Sequence, residues 1–204
     1  MNSKAHWEAV YATKPTEAVS WYEAAPTRSI ALLTDAGLTV ASRVLDVGGG
    51  DSLLPGALVA LGVRHITVLD LSGAALNRAQ ARLGDRATGV EWLEGDVTTV
   101  ELPPDGYDLW HDRAVFHFLT DAEDRALYVA SATRSVRVGG SVIIATFAPD
   151  GPTRCSGLDV VRYSPEGLAA EFGPGFVLRH GFRDVHQTPT GAEQRFAFAV
   201  LSRV

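Results

Sequence analysis

The chain has little of what secreted, membrane or nucleic-acid-binding proteins depend on. It contains one cysteine, Cys155, so no internal disulfide can form, which is typical of a reducing compartment. The formal net charge is -6 and no basic run occurs, which argues against a nucleic-acid partner. No stretch approaches the ~20 apolar residues of a membrane span, and residues 1–15 lack the apolar core of a signal peptide. We therefore expect a cytoplasmic protein with no membrane partner.

The composition is that of an ordinary folded domain. Hydrophobic residues make up 46% of the 204 residues and charged residues 21%, so disorder is not expected. This length supports one hydrophobic core. The sequence therefore predicts a single domain over residues 1–204, present as a monomer or a homodimer.

Strand-like and helix-like segments alternate through most of the chain. The predicted strands are residues 43–48, 65–71, 90–96, 107–112, 141–148, 176–188 and 194–204. The predicted helices between them are residues 53–62, 72–84, 121–140 and 164–173. Alternation of this kind favours an α/β fold with a doubly wound, mostly parallel sheet of seven strands. The last two strands are so close in sequence that an antiparallel hairpin is expected there.

The first 42 residues differ from the remainder. They look helical and are rich in aromatic residues, with Trp7, Tyr11, Trp21 and Tyr22. We therefore expect residues 1–42 to form a helical lid, called the cap below, over a core formed by residues 43–204.

Residues 44–52, VLDVGGGDS, join an apolar strand to three glycines flanked by acids. Glycines after the first strand of an open α/β sheet let a ligand approach the backbone, although a simple tight turn would also use them. The stretch lacks the G-x-x-x-x-G-K-[ST] phosphate loop. It also lacks G-x-G-x-x-G, because Leu53 occupies the third glycine position. Asp46 and Asp51 would repel a pyrophosphate and attract a cation. A ligand with adenosine at one end and a cationic amino acid at the other fits better than NAD.

Two more acids follow the next predicted strands. Asp70 ends the second strand, where a carboxylate can accept hydrogen bonds from both ribose hydroxyls. Asp96 ends the third strand, where it can meet an adenine amino group. Each acid alone could be an ordinary turn residue. Together with the glycine stretch they indicate a nucleoside pocket.

Four segments together resemble the successive motifs of the class I S-adenosylmethionine-dependent methyltransferases. They are VLDVGGGDS (44–52), TVLDLS (67–72), WLEGDVT (92–98) and YDLWHDRAVFHFL (107–119). The first matches the family pattern D-x-G-x-G-x-G, with Ser52 in place of the last glycine. The N-terminal HWEAVYATKPTEAVSWYE (6–23) resembles a bacterial subgroup related to some protein-lysine methyltransferases, in which this segment closes over the cofactor.

The resemblance implies the Rossmann-like methyltransferase fold, S-adenosylmethionine as cofactor and S-adenosylhomocysteine as product. Gly48 and Gly50 would accommodate the methionine part, and Asp46 would help to hold its amino group. Asp70 would bind the ribose. The full set of implied cofactor-binding residues is Tyr11, Trp21, Asp46, Gly48, Gly50, Asp70, Leu71, Asp96 and Val97. An aromatic face is favourable beside a sulfonium, although Tyr11 and Trp21 could equally be ordinary core residues.

The candidate catalytic residue is His111, which follows the fourth strand and should point towards the transferred methyl group. It could act as a base or position the substrate, because histidine titrates near neutral pH. A cofactor contact or an orienting hydrogen bond are the alternatives. The resemblance departs here from family members that methylate amines, which often have Asp or Asn followed by Pro-Pro. We interpret His117 as a core residue.

The segment after the fifth strand, residues 149–163, is expected to border the acceptor. Cys155 could be a reactive thiol there, although a lone cysteine is more often inert. Arg154 and Arg162 could neutralise an acidic substrate or simply be solvated. No metal site is predicted, because no spacing of ligands requires one.

The resulting hypothesis is methyl transfer from S-adenosylmethionine to a small-molecule acceptor by in-line displacement. A protein-lysine acceptor is the main alternative, with a protein acceptor suggested by the N-terminal resemblance. Less favoured alternatives are a nicotinamide-dependent oxidoreductase and a binding module without catalysis.

Overall fold

The computed structural model describes residues 4–204. Residues 1–3 of the predicted cap lie outside the described residues. The helices are α1 (Lys4–Thr13), α2 (Thr27–Asp35), α3 (Leu54–Ala60), α4 (Gly73–Leu83), α5 (Ala122–Ser135) and α6 (Pro165–Phe172). The strands are β1 (Arg43–Val47), β2 (His65–Asp70), β3 (Val90–Glu94), β4 (Tyr107–Arg113), β5 (Val136–Phe147), β6 (Arg154–Cys155), β7 (Leu158–Asp159), β8 (Phe176–Gln187) and β9 (Glu193–Arg203).

Seven strands form one twisted sheet in the order β3-β2-β1-β4-β5-β9-β8. The first five are parallel, whereas β9 runs antiparallel to both β5 and β8. The strand order reverses direction beside β1, where β2 and β4 flank it. Such a switch point leaves a crevice at the carboxyl ends of the strands. The predicted doubly wound sheet with its antiparallel hairpin is confirmed.

The local sequence explains the start of α4, whereas the end of α5 differs from our expectation. Helix α4 begins after Ser72, whose hydroxyl accepts a hydrogen bond from the Ala75 amide at 3.2 Å. The helix predicted over residues 121–140 is wrong in its last part, because α5 ends at Ser135 and β5 begins at Val136. Arg137 on this first part of β5 donates to the Asp108 carboxylate on β4 at 2.6 Å. The strand pairing outweighs the helical pattern there.

Apolar side chains cover both faces of the sheet. One layer, including Leu45, Trp110 and Ile144, packs against α5 and α6. The other, including Val44 and Ile143, packs against α2, α3 and α4. Burial on both faces is the condition under which a parallel sheet is stable. This rigid double layer holds the carboxyl ends of β1, β2 and β4 at one edge.

The cap, residues 4–42 in this structure, contains α1 and α2 and leads directly into β1. Its division from the core at residue 42 stays a prediction. None of the helices within residues 4–204 combines the length and apolar character that crossing a membrane requires.

Candidate functional site

The glycine stretch after β1 is a sharp turn that excludes side chains. Gly48 and Gly50 have φ angles of 63° and 48°, in the left-handed region that favours glycine. A Cβ atom on Gly48 would lie 1.9 Å from Cγ2 of Val115. A Cβ atom on Gly50 would lie 2.8 Å from the Tyr11 hydroxyl oxygen and 3.0 Å from Oδ2 of Asp70. The missing side chains thus let Tyr11 and Asp70 approach the backbone of the turn.

Asp46 lies under this turn and is buried. Its Oδ1 atom is 2.8 Å from Nδ1 of His111, while its Oδ2 atom has no hydrogen-bond partner among the described residues. A buried carboxylate oxygen without a donor is unfavourable, so it points to a cationic or hydrogen-donating ligand. The ammonium group of S-adenosylmethionine fits this requirement.

Asp70 ends β2 and faces the same turn. Its Oδ1 atom accepts a hydrogen bond from the Ser72 amide at 2.8 Å. Burial raises the pKa of Asp70 to about 7, and the backbone amides of Ser72 and Gly50 partly offset that rise. Burial also raises the pKa of Tyr11, with the nearby Asp70 charge adding to it. A buried carboxyl group with a raised pKa at a strand end is typical of a ligand site.

Asp96 and Val97 follow β3. The Oδ1 atom of Asp96 accepts from the amide and the hydroxyl of Thr98, at 2.9 and 2.7 Å, and Val97 is buried. One cavity brings together most of the predicted cofactor residues. These are Tyr11, Trp21, Gly48, Asp70, Leu71, Asp96 and Val97.

A second cavity adjoins the first, and both are lined by Tyr11, Trp21, Val47, Gly48 and Arg113. The second cavity contains Asp46 and His111. Gly50 lines neither cavity but supports the turn between Tyr11 and Asp70. The two adjoining cavities are together called the crevice. Asp70 and Asp96 line one part of it and Asp46 lines the other.

Aromatic rings of the cap, together with Phe118 of the core, form a roof over this crevice. The Trp7 ring centroid lies 5.9 Å from that of Trp21 and 5.1 Å from that of Phe118, in edge-to-face geometry. The Tyr11 ring centroid lies 6.3 Å from that of Trp21. Edge-to-face contacts of this kind stabilise a ring cluster. Trp7 lines the first cavity, and Tyr11 and Trp21 line both cavities.

His111 lies on β4, and both of its ring nitrogens have hydrogen-bond partners. Its Nδ1 atom faces Asp46 and its Nε2 atom lies 2.9 Å from the hydroxyl oxygen of Ser29. A base at the methyl group would need one of these nitrogens to face the acceptor. His117 is fully buried, and burial lowers its pKa to about 3, so it is neutral as expected for a core residue.

The segment predicted to border the acceptor, residues 149–163, contains Cys155, Arg154 and Arg162. Cys155 lines the crevice but is buried, and burial raises the pKa of its thiol to about 11. Arg154 donates to the Gly157 carbonyl at 2.6 Å and Arg162 to the Gly151 carbonyl at 3.2 Å, both at the surface. Neither arginine lines the crevice. Among the lining residues that the structure describes, Arg113 is the arginine that does so.

Sequence reasoning missed the cap residues that reach the core. Glu23 pairs with Arg113 at 3.2 Å, and Glu8 accepts from the Gly73 amide at the start of α4 at 2.7 Å. Ser29 contacts His111. No motif identifies these residues, since they are single polar residues in a helical segment. The one available signal is that Glu8 lies one residue after Trp7, on the same short aromatic segment.

Comparison with known proteins finds methyltransferases that are similar to this chain. Residues 45–144 match the family model described as a methyltransferase domain. An uncharacterized methyltransferase of Mycobacterium tuberculosis is 35% identical over 104 residues, which are 51% of this chain and 50% of that protein. The chain therefore spans about half the length of this relative.

Two more similarities extend beyond the matched region. The eEF1A lysine and N-terminal methyltransferase of Mus musculus is 24% identical over 98% of this chain and 28% of its own length. A structure of an S-adenosylmethionine-dependent methyltransferase from Anabaena variabilis has a TM-score of 0.79 at 15% identity, covering all of this chain and 96% of its own. Residues 45–144 therefore match a methyltransferase domain, and the chain shares the fold of an S-adenosylmethionine-dependent methyltransferase.

Proposed function

We propose that this protein transfers the methyl group of S-adenosylmethionine to a small-molecule acceptor enclosed beneath the cap. The observation that carries the proposal is the roof of Trp7, Trp21 and Phe118 over the crevice. A roofed crevice suits an acceptor that can be surrounded completely. An extended polypeptide would need an open groove towards the methyl group.

Polar contacts hold the cap on the core at several points. Glu8 binds the first amide of α4, and Thr16 hydrogen-bonds to Asp51. Arg113 donates to the Trp21 carbonyl at 2.9 Å, and His186 contacts the Ser20 carbonyl at 2.8 Å. These contacts are directional and exposed in part, so the segment of the cap before α2 can open without unfolding of the core. Opening would admit the acceptor and closure would exclude water.

The proposed cofactor contacts follow the crevice from end to end. Asp46 holds the ammonium group, Asp70 the ribose and Asp96 with Val97 the adenine. The remaining residues of the proposed site are Tyr11, Trp21, Gly48, Gly50 and Leu71. Each assignment rests on the family resemblance and on the position of the residue along the crevice.

Methyl transfer from S-adenosylmethionine requires little from the protein beyond positioning of the reactants. S-adenosylmethionine supplies an activated methyl group, so the chain must align the acceptor in line with it and keep water out. A base is required only where the acceptor loses a proton before or during attack. The base role predicted for His111 stays a prediction.

Mass spectrometry with a deuteriomethyl cofactor tests the acceptor class. A cell extract is separated into metabolite and polypeptide fractions, and each is incubated with the protein and the labelled cofactor. We expect the label in the metabolite fraction. The Asp70→Ala variant is the matched control, since it should lose labelling. Label confined to the polypeptide fraction would contradict the small-molecule proposal.

A protein-lysine acceptor is the second candidate. It is favoured by the mouse relative, whose name specifies lysine and N-terminal methylation of eEF1A and whose similarity spans 98% of this chain. A digest of the labelled polypeptide fraction would locate the methyl group. Trideuteriomethyl-lysine in one protein would support this candidate, whereas label scattered over abundant proteins would count against it.

Two other hypotheses have simple tests. A nicotinamide-dependent oxidoreductase should enhance NADH fluorescence on mixing, but the acids beside the glycine turn oppose a pyrophosphate. A binding module without catalysis should bind S-adenosylmethionine in calorimetry yet methylate nothing across a broad acceptor panel.

A further inference from the structure

A row of three buried polar side chains runs from the cap into the core. Ser29 lies on α2, His111 on β4 and Asp46 on β1, and they are 3%, 5% and 2% exposed. The Ser29 hydroxyl oxygen lies 2.9 Å from Nε2 of His111, and Nδ1 of His111 lies 2.8 Å from Oδ1 of Asp46. The sheet fixes one half of the row, because Asp46 and His111 are register partners between parallel β1 and β4.

The hydrogen bonds of the row have one direction if the imidazole is neutral. The carboxylate of Asp46 can only accept, so Nδ1 of His111 carries the proton and donates to it. Nε2 of His111 then accepts from the hydroxyl of Ser29. A tautomer fixed in this way holds the ring and the carboxylate in one orientation.

The row leaves Oδ2 of Asp46 without a protein partner among the residues that the structure describes. This oxygen lies against the glycine turn, 2.6 Å from the position that a Cβ atom of Gly49 would occupy. The other acids lining this cavity already have cationic partners, because Asp51 pairs with Arg82 and Glu23 with Arg113. Oδ2 of Asp46 is therefore the carboxylate oxygen available to a ligand cation.

We propose that Ser29 and His111 are positioning residues, which hold the Asp46 carboxylate so that its second oxygen faces the ammonium group of the cofactor. The proposal rests on the proposed cofactor site. It gives His111 a role in binding at the methionine end, not in proton transfer at the methyl group. It also links the cap to the cofactor, because Ser29 belongs to α2 and closes the row from that side.

Calorimetry with two ligands tests this assignment. S-adenosylhomocysteine carries the ammonium group, whereas 5′-methylthioadenosine has the adenosine and the sulfur without it. We expect His111→Leu to weaken S-adenosylhomocysteine binding by roughly tenfold or more, on the scale of a lost hydrogen bond to a charged group. Binding of 5′-methylthioadenosine should change by less than about twofold. Ser29→Ala should show the same selectivity with a smaller loss.

His111→Asn is the matched conservative variant, because its amide can still donate to Asp46. It should recover much of the S-adenosylhomocysteine affinity that His111→Leu loses. If His111→Leu does not fold, as judged by thermal unfolding, the comparison of Ser29→Ala and His111→Asn with the native protein carries the test.

Three outcomes would overturn the proposal. Equal loss for both ligands would indicate a purely structural role. Unchanged affinity for both ligands in Ser29→Ala and both His111 variants would show that Ser29 and His111 do not contribute to ligand binding. Loss in His111→Asn as large as in His111→Leu would exclude the donor role. Failure of the native protein to bind either ligand would instead refute the proposed cofactor site itself.

Discussion

The two sides of the candidate crevice are held in place by different forces. On the sheet side, Asp46 and Asp70 lie at the ends of strands whose side chains are buried on both faces of the sheet. On the cap side, Glu8 and Glu23 reach the core through hydrogen bonds and an ion pair. Apolar burial fixes the sheet side as part of the cooperative fold. Within the cap, α2 packs on the sheet through Leu32 and Leu33, whereas the polar contacts help to hold the segment before α2, which we expect to open on its own.

This contrast predicts two kinds of response to substitution. Changes on the sheet side should reduce stability or cofactor affinity strongly. Changes on the cap side should alter access to the crevice while leaving the unfolding transition nearly unchanged. The four experiments below run from the largest expected effect to the smallest, and each would weaken the contrast if it gave the opposite result.

Gly48→Ala should give the largest effect. The new side chain would occupy a positive φ, which costs about 1–2 kcal/mol, and would overlap the stiff side chain of Val115. Overpacking adds roughly 1–3 kcal/mol. We expect the free energy of unfolding, measured by urea denaturation, to fall by about 3 kcal/mol.

The double variant Gly48→Ala with Val115→Ala separates the two causes of this loss. It should recover the part due to overlap, relative to Val115→Ala alone, but not the part due to backbone strain. A Gly48→Ala protein as stable as the native one would show that the turn is adaptable, and that the sheet side is less rigid than we infer.

Asp70→Ala should give the largest loss of ligand binding. Hydrogen bonds to a charged group contribute about 1.5–3 kcal/mol, so the affinity for S-adenosylhomocysteine should fall by roughly 10- to 100-fold. Isothermal calorimetry measures this directly. Val177→Ala, at an exposed position of β8 that lines neither cavity, is the control. Unchanged affinity in Asp70→Ala would remove the ribose role from this residue.

The difference between the two sides also explains what could be predicted from sequence. Asp46 and Asp70 lie at the carboxyl ends of β1 and β2, and Asp96 follows β3. Parallel strands bring their carboxyl ends to one edge. Their convergence is therefore encoded locally, in strand patterns and glycines. The alternation of strands and helices also predicted the doubly wound, mostly parallel sheet of seven strands.

The cap contacts could not be predicted in this way. Ser29 meets His111 across 82 residues, and Glu23 meets Arg113 across 90, with no local pattern that marks either pair. The start of β5 was missed for a similar reason. Residues 136–140 continue a helical pattern in sequence, but pairing of Val136 with Tyr107 on β4 makes them a strand. Long-range partners decide such segments.

The buried acids of the sheet side should give the ligand-free protein an unusual pH dependence. Burial raises the pKa of Asp70 to about 7 and of Asp112 to about 6, above the usual carboxyl value. The native state then holds protons that the unfolded chain has released, so stability falls as pH rises from about 4 to about 7. Urea denaturation across this range measures the slope.

Cofactor affinity should change with pH in the opposite sense. Ribose hydroxyls donate to the ionised form of Asp70, so binding should strengthen as pH rises through about 7 and level off above it. In Asp70→Ala both the upper part of the stability slope and this rise in affinity should disappear. A flat affinity profile in the native protein would contradict the assignment of Asp70 to the ligand.

Glu23→Gln should have the smallest effect on stability and a clear effect on the cap. It removes the ion pair with Arg113, whose side chain is 13% exposed, but leaves the hydrogen bond from Arg113 to the Trp21 carbonyl. Loss of this ion pair should lower the free energy of unfolding by about 1 kcal/mol or less. Cys155 reports the opening, because it lines the crevice next to Ser20 of the cap.

Labelling of the Cys155 thiol with iodoacetamide should therefore be severalfold faster in Glu23→Gln than in the native protein, at equal melting temperature within a few degrees. Glu171→Gln is the matched control, since Glu171 pairs with Arg125 at the same 3.2 Å distance but belongs to α6 of the core. It should leave the labelling rate unchanged. Equal acceleration in both variants would mean that Cys155 becomes exposed through general loosening of the fold, and the cap would then not open independently of the sheet.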